Sequence, residues 1–328
     1  MTAPLLEVRD LQVRFTSRSP APVDVVRGVS FTLDRQQRLG LVGESGCGKS
    51  TTMLALMGLL PANAEVSGTI ALDGIDILAG GERSMRPHRW TDLAMVFQGS
   101  MNAFNPVVTI GKQIVEAMKF RSRPSRSKSQ ARAMELLELV GIPGDRFHRY
   151  PHEFSGGMRQ RAALAMALAN EPRILLADEP TTALDVMVQA QILELLERLT
   201  AELGLALLLV THDLPLVIET CREAAIMYAG RIVESGPTLE LYREPRHPYT
   251  RLLFGAVPSL SMDSQVASIP GVPPRLDQVL VGCAFAPRCD QATNLCRQTA
   301  PADVAVDERH SAACHFVVGE PAGREVRR

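Results

Sequence analysis

The stretch Gly43-Glu44-Ser45-Gly46-Cys47-Gly48-Lys49-Ser50 has the spacing G-x-x-x-x-G-K-[ST]. Its glycines let the backbone curl until several N–H groups converge on a phosphate, and a helix N-terminus behind them adds partial positive charge. In such a loop Lys49 would reach the β- and γ-phosphates and the Ser50 hydroxyl would hold Mg²⁺. A second candidate is the apolar run Ile174–Ala177, which ends in the adjacent carboxylates Asp178 and Glu179. Open α/β sheets bind ligands at the carboxyl ends of their strands. There the two acids can divide the labour, Asp178 holding Mg²⁺ and Glu179 orienting and deprotonating a water. Taken alone the pair also reads as a solvated strand end, and the glycine loop tips the balance. A third is Phe154-Ser155-Gly156-Gly157-Met158-Arg159-Gln160, where a serine and two glycines open a helix as a second anion-binding terminus. One nucleotide does not need two such termini from one subunit. A dimer resolves this, with the Ser155–Gly157 turn of each subunit closing over the nucleotide on the other's glycine loop.

The six cysteines are unevenly placed. Cys283, Cys289, Cys296 and Cys314 form C-x5-C-x6-C-x17-C near His310 and His315, while Cys47 and Cys221 stand alone. The spacing lacks the paired C-x2-C of common zinc folds and the tight loop of bacterial ferredoxins. By itself it offers four thiolates to some metal, with free thiols as the alternative. Cys47 reads best as a small residue tolerated in a turn, although a helix N-terminus can lower a thiol pKa and make it reactive.

These residues need a scaffold. Val29, Phe31 and Leu33 alternate as a half-buried strand does, and Asp73-Gly74 within Thr69–Ile77 signals a hairpin. Arg38–Val42 is a short apolar strand running into the glycine loop. Met53, Leu56, Met57 and Leu60 then recur at helical spacing until Pro61. Helical patterning fills Gln98 to Asn170, with Met134, Leu137 and Val140 as a stripe closed by Gly141. Strands at Ile174–Ala177 and Leu205–Val210 flank a helix whose apolar face carries Val188, Ile192, Leu195, Leu199 and Leu203. Strands separated by helices imply a parallel sheet covered on both sides.

The chain has 328 residues, 46% hydrophobic and 22% charged, which suits about two globular domains. A net charge of −1 excludes a globally basic nucleic-acid binder. Apolar runs such as Leu205–Val210 fall far short of a membrane span. Glu7, Arg9 and Asp10 occupy the place of a signal peptide's apolar core, so the chain is expected to remain inside the cell. After about Ser235 prolines interrupt every element, predicting a loop-rich extension with one short helix near Tyr249–Ala256.

The combination of glycine loop, Ser-Gly-Gly turn and acidic pair resembles the ATP-binding cassette (ABC) ATPase family. Further strings match in order: Gln98 after a strand, Ala183-Leu184-Asp185 after the acidic pair, and Thr211-His212-Asp213 after the last buried strand. A narrower likeness to the ATPases of oligopeptide/dipeptide importers lies in Gly43-Glu44-Ser45-Gly46, Ser155 to Arg161, Arg246-His247-Pro248-Tyr249-Thr250 and Gly282-Cys283 through Cys314. The family signature usually opens Leu-Ser-Gly-Gly-Gln, and here Phe154 and Met158 replace its first and last residues.

The resemblance implies a P-loop cassette over 1–236, with a mixed sheet core, an antiparallel β subdomain and a helical subdomain at about 99–170. A peptide-importer extension with the cysteine cluster follows over 237–328. It implies nucleotide contacts from Phe15 (adenine stacking), Gly43, Glu44, Ser45, Gly46, Cys47, Gly48, Lys49, Ser50, Thr51, Gln98, Asp178, Ser155, Gly156, Gly157 and Asp185. It makes Glu179, His212, Gln98 and Lys49 catalytic and places Mg²⁺ on Ser50, Gln98 and Asp178. A [4Fe–4S] cluster on Cys283, Cys289, Cys296 and Cys314 is implied ahead of zinc. The partners implied are two membrane permease subunits, a second cassette and an extracytoplasmic binding protein, at the cytoplasmic face of a bacterial or archaeal membrane. The expected activity is ATP hydrolysis driving peptide uptake, with nickel, glutathione or another small solute as alternatives. A soluble ABC ATPase acting on DNA or ribosomes and a nucleotide-regulated interaction protein are the readings of other classes.

Overall fold

The computed structural model describes residues 3–16, 22–99, 103–119, 125–182, 184–256, 269–278, 280–317 and 320–321. Its strands are β1 (Leu6–Phe15), β2 (Val23–Leu33), β3 (Arg38–Val42), β4 (Ala64–Leu72), β5 (Ile75–Asp76), β6 (Leu93–Val96), β7 (Ile174–Asp178), β8 (Ala206–Thr211), β9 (Glu223–Tyr228), β10 (Arg231–Pro237), β11 (Val304–Ala305), β12 (Ser311–Ala312) and β13 (Glu320–Pro321). Its α-helices are α1 (Lys49–Met57), α2 (Glu82–Met85), α3 (Ile110–Met118), α4 (Arg126–Leu139), α5 (Gly156–Ala167), α6 (Val186–Leu203), α7 (Leu214–Thr220), α8 (Thr238–Arg243), α9 (Pro248–Gly255) and α10 (Asn294–Gln298). By internal contacts they divide into two units, one of residues 1–32, 38–78 and 211–328, the other of residues 33–37 and 79–210.

The first unit holds two β arrangements. β1 and β4 pair antiparallel from Leu6↔Leu72 to Phe15↔Ala64, with β2 and β5 outside them. The Asp73-Gly74 turn closes β4 on β5 with both residues at positive φ (47° and 80°), the geometry of a tight right-twisted hairpin. The other arrangement is mixed rather than wholly parallel. β3 runs parallel to β9, and β10 returns antiparallel to β9. β12 and then β11 continue that edge, so the extension adds strands as well as loops. Its short helix near Tyr249 is α9. Helix α7 lies close on β3, since a Cβ on Gly40 would sit 2.6 Å from Val217 Cγ1.

In the second unit β6, β7 and β8 are parallel and every residue of the three up to Val210 is buried. One expected helix boundary shifts and one expected apolar face is lined differently. α1 stops at Met57, before Leu60, because Gly58 adopts a left-handed cap (φ 58°) whose N–H bonds back to the last turn. On α6, Ile192, Leu195 and Leu199 face inward as expected, whereas Leu203 at the last turn is 44% exposed and Leu196 takes a buried place.

Candidate functional site

The glycine-rich loop is built in the first unit. β3 is buried from Leu39 onward and delivers the chain into Gly43. A Cβ on Gly43 would lie 2.1 Å from the Met227 carbonyl oxygen, so only glycine allows the loop to pass that close to β9. Gly48 caps α1 at φ 108°, and the first turn of α1 contains no acidic residue to oppose its dipole. Lys49 is buried, and its Nζ donates to the Gly43 and Glu44 carbonyls at 2.7 and 2.9 Å. Ser45, Gly46 and Ser50 are exposed and Thr51 is half-buried. The exposed Ser45–Gly46 backbone and the Ser50 hydroxyl on the helix's first turn are therefore open to an anion with a bound cation, while the Lys49 ammonium is turned onto the loop carbonyls.

Burial argues against a reactive thiol at Cys47. It is buried, and desolvation raises its pKa despite the nearby Lys49 charge. The helix-terminus effect loses to burial here. Phe15 sits half-buried at the end of β1, opposite Ala64.

Two residues outside the motif hold this loop. The Glu44 N–H donates to the Tyr249 hydroxyl at 3.0 Å. The Glu44 carboxylate receives a two-pronged bond from Arg288, Nη1 to Oε2 at 2.7 Å and Nη2 to Oε1 at 2.9 Å. Arg288 also donates to the Pro270 carbonyl and the Tyr228 hydroxyl. Pairing with Glu44 holds the guanidinium firmly ionised against the cost of burial. Tyr249 and Tyr228 are buried against Phe285, and burial pushes both phenols up.

The second unit carries the acidic site. Parallel pairing sets Val96 beside Ala177, so that Gln98 and Glu179 each lie two residues beyond that pair. Asp178 is buried at the strand's end. Glu179 adopts a left-handed backbone (φ 45°) uncommon for a non-glycine residue, and its N–H extends the ladder to the Val210 carbonyl at 2.8 Å. Its Oε2 accepts from Gln98 Nε2 at 2.7 Å and from the Thr182 hydroxyl at 2.9 Å. A carboxylate held by two donors on a constrained backbone is aimed, as a base must be. Thr182 was not singled out from sequence. Ser155 caps α5 by accepting the Met158 N–H at 3.3 Å, and Asp185 caps α6 by accepting the Val188 N–H at 3.0 Å. Both caps are exposed, as are Val186 and Met187 beside Asp185, while Ala183 lies outside the described residues. Gly157 admits the close approach of α6, since a Cβ there would meet Val188 Cγ1 at 2.6 Å. His212, in the first unit, follows β8 directly and is exposed.

The four clustered cysteines lie in the first unit near enough to feel one another's charge, Cys283 with Cys296 and Cys314, and Cys289 with Cys296 and Cys314. The Cys283 N–H bonds the Cys296 carbonyl at 2.7 Å. Burial raises the Cys283, Cys289 and Cys314 thiols. For Cys296 burial acts the same way but is outweighed by hydrogen bonding to Thr293 and the Arg297 charge. Each nearby histidine has a hydrogen-bond partner other than a cysteine: His310 Nε2 bonds Glu234 and His315 Nε2 bonds the Thr299 carbonyl.

A model of the ABC transporter family matches residues 26–182, and a model of the oligopeptide/dipeptide transporter C-terminal region matches residues 233–296. A probable peptide ABC transporter ATP-binding protein of Sinorhizobium fredii is 46% identical over 316 residues, 94% of each chain. The dipeptide transport ATP-binding protein DppD of Bacillus subtilis is 42% identical over 315 residues, again 94% of each. Among solved structures, the dimeric ATP-binding cassette MJ0796 in a post-hydrolysis state bound to ADP and Pi superposes with a TM-score of 0.63. It is 25% identical, and the match covers 71% of this chain and 98% of that one.

Proposed function

Because the chain belongs to the ATP-binding proteins of oligopeptide/dipeptide ABC transporters, we propose that it hydrolyses MgATP between paired cassettes to drive peptide uptake. Peptide is the solute its relatives are named for. Nickel or glutathione would use the same machinery.

In this reading the Gly43–Thr51 backbone and Lys49 hold the β- and γ-phosphates while Phe15 stacks on adenine. The Ser50 hydroxyl, Asp178 and Gln98 are the oxygen donors for Mg²⁺, a hard cation that such donors suit. When bound, the metal neutralises developing phosphate charge. Glu179 orients a water and takes its proton, His212 contacts the γ-phosphate, and Gln98 keeps Glu179 in register. The observation that carries the assignment is the Glu179 carboxylate, fixed by Gln98 and Thr182 at the end of a buried strand. Catalysis is then positioning and charge stabilisation of a loose phosphoryl transition state.

Exposed Ser155 with half-buried Gly156 and Gly157, and exposed Asp185 flanked by Val186 and Met187 at 78% and 72% exposure, support a second cassette as the partner that closes the site. We assign residues 1–236 to the cassette, about 99–170 to a helical subdomain that meets two permease subunits, and 237–328 to the extension. No helix among the described residues is long and apolar enough to cross a membrane. In this reading the permeases hold the chain at the cytoplasmic face, and a binding protein delivers solute from outside.

We also assign Cys283, Cys289, Cys296 and Cys314 to a [4Fe–4S] cluster. Their mutual electrostatic influence supports it. Among the described residues the group of three or more potential ligands lying within 4.8 Å of one another is Glu240, Asp307 and His310, apart from the thiols. A four-iron cluster takes each thiolate on a separate iron. Bound there, it would staple a proline-rich segment with little core of its own. Anaerobic protein absorbing near about 400 nm, with iron and sulfide, supports the cluster. Equimolar zinc without iron rejects it.

Glu179→Gln tests the site. It should bind ATP and form a stable closed dimer while turnover falls by about 10²–10⁴. Near-normal hydrolysis would remove Glu179 from the role.

A further inference from the structure

The phosphate loop is not held by its own motif alone. Its second residue, Glu44, is gripped at both backbone and side chain by the extension: the Tyr249 hydroxyl takes its N–H, and Arg288 forks its carboxylate. The Arg288 side chain is 4% exposed and that of Glu44 23%. A planar guanidinium in a two-pronged, largely desolvated bond fixes distance and orientation together, as a flexible lysine would not. The guanidinium is itself anchored by the Pro270 carbonyl and the Tyr228 hydroxyl, and it packs beside the Tyr228 and Phe285 rings. It has therefore no slack to pass on. Lys49 Nζ donates to the Glu44 carbonyl, so the residue Arg288 holds is also one that Lys49 touches.

We propose that Arg288 is a positioning residue of the nucleotide site: through Glu44 it sets the curvature of the phosphate loop, so that ATP affinity depends on the folded extension. Arg288 does not touch nucleotide. It lies in the one-turn helix Ala286–Arg288 between Cys283 and Cys289, so anything that fixes those cysteines fixes the guanidinium. The inference rests on reading Gly43–Ser50 as the phosphate loop.

The test compares Arg288→Met, which keeps the buried stem and drops the charge, with Glu44→Gln, Arg288→Lys and the double variant. The full-length chain is assayed in its assembled transporter, reading KM for ATP and kcat separately. R288M and E44Q should each raise KM about tenfold or more, the cost of a loosened positioning contact, with kcat within about twofold. The double variant should be no worse than either single, and R288K should recover part of the loss. Both singles must melt as cooperatively as the parent. E44Q approaches from the exposed side and keeps the test valid if R288M does not fold. Unchanged KM in E44Q, or penalties that multiply in the double variant, would overturn the proposal. Lys49→Ala separates the two readings: if it retains nucleotide binding, the phosphate-loop assignment itself fails. If K49A loses ATP while E44Q does not, only the role of Arg288 falls.

Discussion

His247 makes the extension's hold on the cassette pH-dependent. Its side chain is 2% exposed at the N-cap of α9, where Nδ1 accepts the Tyr249 N–H at 3.0 Å. Burial lowers its pKa to about 4, against a weaker upward pull from Glu234. A histidine that accepts at the cap must be neutral, and an imidazolium there would lose that bond. The sign follows from proton counting. Between the ordinary value near 6.5 and about 4, the unfolded chain holds the proton and the folded chain does not, so stability falls as pH drops through that window. From pH 7 to pH 5 this one group should remove about 2 kcal/mol. Below pH 4 both states are protonated and the loss levels off near about 3 kcal/mol. Carboxylates titrate in the same range, so the measurement is a difference. Urea unfolding of the parent and of His247→Asn, followed at pH 7 and pH 5, isolates the imidazole because asparagine also caps a helix and does not titrate. H247N should be less stable at pH 7 yet lose about 2 kcal/mol less on acidification. Parallel pH profiles for the two proteins would refute the argument that His247 is held neutral by its burial.

Thr182→Val keeps the shape of the side chain but takes one donor from Glu179, and kcat should fall several-fold, worth about 1 kcal/mol, with KM for ATP little changed in steady-state kinetics. Gly43→Ala drives a Cβ against the Met227 carbonyl. A cost of about 1–3 kcal/mol in thermal denaturation, together with lost ATP binding by titration calorimetry, is expected. Ser155→Ala removes the α5 cap, costing about 1 kcal/mol in the melting curve. In a Glu179→Gln background it should also prevent the ATP-dependent dimer seen by light scattering.

What could be read from the sequence was what is local to it. The strand Arg38–Val42, the glycine curl and the helix behind it occupy adjacent residues, as do the Asp73-Gly74 hairpin and the caps Ser155 and Asp185. Each is set by backbone preferences acting over a few positions. Errors arose where one residue's conformation outvoted a pattern. The apolar spacing ran on to Leu60, but Gly58 had already ended α1. Cys47 shows the same limit for electrostatics, because the helix terminus is visible in sequence and the burial that overrides it is not. The contacts that brace Glu44 could not be found by spacing at all, since Tyr249 and Arg288 stand 205 and 244 residues away. Arg246-His247-Pro248-Tyr249-Thr250 stood out only as a family string, with no chemistry to explain it.

That string is explained by Glu234. Its carboxylate, fully buried on β10, accepts the N–H groups of Arg246 and His247 at 2.7 and 2.9 Å and bonds His310 Nε2 at 2.8 Å. One anion thus ties β10 to the segment leading into α9 and to the loop before β12. A buried charge is tolerable only when its bonds are complete, so all three donors must be in place for β10 itself to be stable. Removing the chain after residue 236 would strand that carboxylate, uncover Tyr228, and leave the Glu44 N–H and carboxylate without Tyr249 and Arg288. The residues beyond 236 therefore complete the first unit, and a chain cut at residue 236 should misfold rather than report an intrinsic ATPase.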